Sequence, residues 1–129
     1  MKLMHTKLPD FIAKVHTAAK KLRPDMKVTV KGLENIETAK LASLRVGRIE
    51  DEIIEVTEDP DITEVEVRAV PFNPEIIYSI ITKGYTADGK CKKAIIEDMA
   101  CSIPTVEYHL TDVEEIVDRR SAGPKQTQF

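Results

Sequence analysis

The side chains able to carry chemistry on their own are few in this chain: His5, His16 and His109, and the cysteines Cys91 and Cys101. The histidines are isolated from one another, and His109 reads as the boundary residue of an apolar stripe rather than as a base. Cys91, Cys101 and His109 lack the paired C-x₂₋₄-C or H-x₃₋₅-H spacing that closes a tetrahedral zinc site, so no metal is expected. On a continuous helix the stretch between the cysteines spans roughly 15 Å, beyond disulfide reach, and both are expected as free thiols. The segment "GYTADGK" has neither the spacing nor the Ser or Thr after Lys of a phosphate-cradling loop, and GxSxG and HExxH are absent. Carboxylates are abundant but form no discriminating pair. The sequence predicts no enzyme and no cofactor.

What remains is charge and pattern. The chain has 129 residues, 42% hydrophobic and 32% charged, which suits one ordinary domain or two small ones with a real core. No apolar run approaches the length a bilayer requires, and "MKLMHTKLPDF" lacks the apolar centre of a secretory signal. A cytoplasmic protein is expected. The net charge of -3 hides an uneven distribution: residues 1–31 are strongly basic, with eight Lys or Arg against Asp10 and Asp25, and residues 32–75 are acidic, with twelve Asp or Glu against four bases. Such neighbouring blocks usually neutralise one another across a surface; the alternative is nucleic acid held on the basic first helix.

These residues need elements to position them. "LPDFIAKVHTAAKKLRPD" predicts a helix with Phe11, Val15, Ala18 and Leu22 on one stripe, broken at Pro24. Four strands are then predicted, in "MKVTVKG" (26–32), "LRVGRIE" (44–50), "EIIEVTE" (52–58) and "ITEVEVRAV" (62–70), as a small antiparallel sheet beneath that helix. Residues 33–43 read as strand or short helix. In "VPFNPEII", Asn73 and Pro74 look like an N-cap and first turn, predicting a helix over 74–83, and "KCKKAIIEDMA" predicts another over about 90–100. Residues 104–110 are ambiguous. As a strand, Val106, Tyr108 and Leu110 share a face, and "TDVEE" could start a separate helix through a capping box; as a helix, Val106, Leu110, Val113 and Val117 form a stripe that persists for three turns. The continuous helix is the reading adopted.

With that choice, "AIIEDMACSIPTVEYHLTDVEEIV" resembles the helix-turn-helix regulators, in which a short helix, a serine turn and a "TV..HL" third helix follow one another. The tail "EIVDRRSAGPKQTQF" is similar to the basic-tipped hairpin of the winged members; the other reading of it is a disordered end. The fold expected is therefore α+β: an N-terminal helix on a small antiparallel sheet (residues 1–70, a dimerisation or sensing module), followed by a winged helix-turn-helix (residues 71–129). The resemblance implies a transcriptional regulator that binds double-stranded DNA as a homodimer. Thr105, Tyr108 and Thr111 would face bases, and Lys92, Lys93, Arg119, Arg120 and Lys125 would hold phosphates. Three features depart from the family, and the first is that "TADGKC" makes the connection before the second helix long. Ile96 stands where a small residue is usual, and residues 103–118 carry five carboxylates without one Lys or Arg, beside a polyanion whose neutralisation drives binding. The competing expectation is a protein-interaction adaptor whose acidic third helix, through Asp112 and Glu115, captures a basic partner.

Overall fold

A computed structural model describes residues 8–21, 23–32, 40–41, 46–73, 76–97 and 104–119. They form a mixed β-sheet with helices on both faces. In chain order the elements are α1 (Leu8–Ala19), β1 (Lys27–Lys31), β2 (Lys40–Leu41), α2 (Val46–Thr57), β3 (Ile62–Asn73), β4 (Ile76–Thr86), β5 (Cys91–Glu97), α3 (Pro104–Tyr108) and β6 (Glu115–Arg119). The strands lie in the order β1-β3-β4-β5-β6, with β2 beside the start of β4. The centre is antiparallel, β3 with β4 and β4 with β5, whereas both outer pairs, β1 with β3 and β5 with β6, are parallel. Each parallel pair, β2 with β4 included, needs a long connection, and each has one: α2 lies between β1 and β3, α2 and β3 between β2 and β4, and α3 between β5 and β6.

The two faces have separate cores. Val15, Ala18 and Ala19 of α1 and Ile49, Ile53 and Val56 of α2 bury against Val65, Val67 and Ala69 of β3, Ile80 of β4 and Ile95 of β5. On the opposite face Val106 and Leu110 bury against Val70, Ile81, Ala94 and Ile96, with Val113 packed alongside. The alternation of adjacent residues between the clusters, Ile80 against Ile81 and Ile95 against Ile96, is the period of two of a strand covered on both sides.

The first helix forms where its stripe predicts. The strands expected in 26–32 and 62–70 form as β1 and as the greater part of β3, and the rest of the expected architecture is corrected. Residues 46–57 are one helix, not two strands with a charged turn: Ile49, Ile53 and Val56 recur at helical spacing, and Asp51, in the supposed turn, is on the exposed face. Residues 76–86 and 91–97 are the central strands β4 and β5, not helices. The expected third helix over 103–118 stops at Tyr108, and 115–119 are strand β6. The sheet is mixed, not antiparallel, and β3 runs through residues 70 and 71 to pair with β4 along its length. Among the described residues there is no winged helix-turn-helix. Of the segment 33–43, expected as strand or short helix, residues 40–41 are strand β2 and the others lie outside the described residues, as does the hairpin tail from residue 120. Among the described residues no helix is long and apolar enough to cross a membrane.

Candidate functional site

The described chain gathers polar groups at two places, and three of the cations expected to hold phosphates, Lys92, Lys93 and Arg119, fall in the first, under and beside α2. Lys93 Nζ lies 3.2 Å from Glu55 Oε2, and the Arg119 guanidinium lies 3.1 Å from Glu55 and 3.5 Å from Glu52. Lys92 bridges the loop after α2, 2.8 Å from Asp59 and 3.0 Å from Asp61. Below Arg119 sit Glu52 and Glu97, both almost wholly buried. Burial, and then the hydrogen bond and negative charge of Glu97, push the Glu52 carboxyl up to about 8, with Arg119 pulling the other way. Burial also acts to raise Glu55, but its bonds to Lys93 and Arg119 outweigh this and hold it below the usual carboxylate range. These contacts fasten α2 to β5 and to the edge strand β6.

The second place is a cleft of about 630 Å³ between the β4–β5 hairpin and the connection that leads from α3 into β6. Its hairpin wall carries Lys83, Tyr85, Gly89, Lys90 and Cys91, and its opposite wall Thr111, Asp112 and Glu114. Both walls are built by local bonds. In the hairpin, Thr86 N–H donates to Lys90 O and Gly89 N–H to Thr86 O, the Asp88 carboxylate accepts from the Thr86 hydroxyl and the Lys90 N–H, and Gly89 supplies the positive φ the turn needs. A register shift between Gly84 and Tyr85 re-aims the strand beside the cleft. On the other wall, buried Leu110 anchors the chain, Thr111 Oγ1 donates to Tyr108 O at 2.8 Å, and Glu114 N–H donates to Cys91 O at 3.1 Å. Asp112 sits at φ 66°, a left-handed conformation that Asp tolerates better than most residues.

Lys83 is the unusual member. It is only 8% exposed, and its ammonium lies 5.7 Å from the centroid of the Tyr85 ring, a cation–π distance. Among the described residues no carboxylate comes within ion-pair range of it. The neighbouring Glu66 pairs instead with Arg68 at 3.1 Å and accepts weakly from the Tyr85 hydroxyl at 3.5 Å. Burial and the Glu66 charge push the Tyr85 phenol up to about 12. Burial raises the Cys91 thiol as well, more than Lys83 lowers it, and burial with Arg68 and Lys83 lowers His109. At neutral pH the cleft thus presents a phenol and a thiol, which favours binding over nucleophilic chemistry.

Of the residues singled out in the sequence, Cys91, Thr111 and Asp112 line this cleft. Lys92, Lys93 and Arg119 lie among carboxylates as described. Tyr108 is 73% exposed and meets His109 edge to face at 5.4 Å. Glu115 is exposed at the start of β6. Thr105 lies in α3, where its side chain is not described, and Arg120, Lys125 and Cys101 are outside the described residues. Cys91 is a free thiol on β5. Lys83, Tyr85 and the Glu52–Glu97 pair were missed, because the first two were assigned to a helix end and its following turn and the last two to different predicted elements. Among the described residues no group of three His, Cys, Asp or Glu side chains could hold a metal ion. No protein-family model, no curated protein and no solved structure matches the chain.

Proposed function

We propose that this chain is a ligand-binding domain that takes a small carboxylate- or phosphate-bearing molecule in the cleft, with Lys83 as its anchor. The observation that carries the reading is a lysine more than nine-tenths buried, lining a cavity, with no carboxylate partner among the described residues. Glu66 stands opposite Lys83 in the β3–β4 register but is held by Arg68; burying an ammonium with no carboxylate in ion-pair range is costly, and an anionic ligand offsets that cost when it binds. The cavity volume is in the range that holds small ligands, and its rim of a few convergent polar groups suits orientation and specificity. DNA binding draws little support from the geometry, since Lys92, Lys93 and Arg119 are each neutralised within the chain. The adaptor reading has one feature in its favour, the exposed Tyr108 and Ile116 beside exposed Asp112 and Glu115.

The test is thermal-shift and calorimetric screening of the whole chain against inorganic phosphate and a panel of small carboxylates, amino acids included. At least one should bind and raise the melting temperature, and Lys83→Met should abolish the shift while leaving a folded protein. If no member binds wild type, or if Lys83→Met binds as well, the cleft is not an anion site.

A further inference from the structure

The four charges that line the cleft differ from the other charges around β5 and β6. Lys92, Lys93 and Arg119 each contact a carboxylate within 3.5 Å. Lys83 and Lys90 on the hairpin wall, and Asp112 and Glu114 on the facing wall, make no ion pair with one another or with any other described residue. The two walls, joined through the Glu114 N–H to Cys91 O bond, therefore carry opposite side-chain charges across a shared space without pairing them. A ligand with an anionic end alone would satisfy the lysines but would leave Asp112 and Glu114 repelling it. A ligand with a carboxylate at one end and an ammonium at the other satisfies both walls with charge-assisted hydrogen bonds.

We infer that the cleft takes a free α-amino acid, its carboxylate toward Lys83 and Lys90 and its ammonium toward Asp112 and Glu114. This rests on the anion-binding reading above and narrows it. Buried Lys83, held over the Tyr85 ring, fixes the carboxylate end; the exposed acids supply selection against simple anions. The side chain of the amino acid occupies the rest of the cleft.

Equilibrium dialysis of the whole chain against a pool of the twenty common amino acids, and separately against the matching 2-hydroxy acids, tests the assignment with mass spectrometry as the readout. The hydroxy acids keep the carboxylate and replace the ammonium with a hydroxyl. At least one amino acid should be retained about tenfold or more above its hydroxy counterpart, the loss expected when charge-assisted bonds are removed. Asp112→Asn with Glu114→Gln should erase that preference, and Lys83→Met should abolish retention of both pools. Equal retention of the two pools overturns the zwitterion assignment and leaves the anion reading standing. Retention of neither overturns both.

Discussion

At the scale of single residues, the sequence disguises the two that matter most on β4. In "IIYSIITKGYT" Lys83 and Gly84 look like the end of a helix, a basic last turn followed by a C-cap glycine, because that pair serves such a boundary well. In the strand they have other tasks. Lys83 turns to the cleft, and Gly84 exists for lack of a side chain: a Cβ there would lie 2.5 Å from Ile62 Cδ1 and 2.6 Å from Val56 Cγ1. Its backbone is not in the left-handed region, so the requirement is for space alone. Gly84→Ala should therefore destabilise by overpacking, by about 1–3 kcal/mol. The check is a urea midpoint that falls without a change in the slope of the transition. A midpoint equal to that of wild type would mean that α2 and β3 do not approach β4 as closely as described.

At the scale of elements, legibility depends on how many faces are buried. The first helix has one buried face, so Val15 and Ala18 stand out against polar neighbours and the 3.6-residue period is visible. β4 and β5 are buried on both faces. Their paired isoleucines, Ile80 with Ile81 and Ile95 with Ile96, point to opposite cores but read in sequence like the broad stripe of a helix, and only their β-branching argues otherwise. The connection after α3 failed differently. Val106, Leu110 and Val113 do share a core, as the helical stripe requires, yet the chain leaves the helix at Tyr108 and delivers Leu110 and Val113 from turns. Leu110 therefore anchors a cleft wall as well as a core. Leu110→Ala should cost about 2–5 kcal/mol, and because the loss loosens the wall bearing Asp112 and Glu114, it should weaken ligand retention more than a mutation of equal cost elsewhere. Val15→Ala on the other face is the control. Equal effects of the two variants on retention, once stability is matched, would separate Leu110 from the site.

At the scale of the whole molecule, one helical layer is tied to the sheet edge through a cluster that balances only when it carries a proton. Glu52 on α2 faces Glu97 on β5 and Arg119 on β6, with Glu55 and Lys93 beside them. With Glu52 protonated, Arg119 and Lys93 face the charges of Glu55 and Glu97 alone; losing that proton leaves an uncompensated negative charge under α2. The Glu52 carboxyl is raised from 4.5 to about 8 by burial and by Glu97, so the folded chain holds this proton more tightly than the unfolded one. Its contribution to stability is then fully present below about pH 4.5 and is lost progressively as the pH rises toward 8. Glu55 and Asp59, whose carboxyls are lowered, act in the opposite sense and lose their contribution in acid. Comparing variants isolates the pair from them. Between pH 5 and pH 8.5 the melting temperature of Glu52→Gln should rise relative to that of wild type, since the amide cannot ionise while the carboxyl must. A difference that stays constant across that range would show that Glu52 does not hold its proton more tightly in the folded chain, and that the fastening of α2 to β5 and β6 is indifferent to pH.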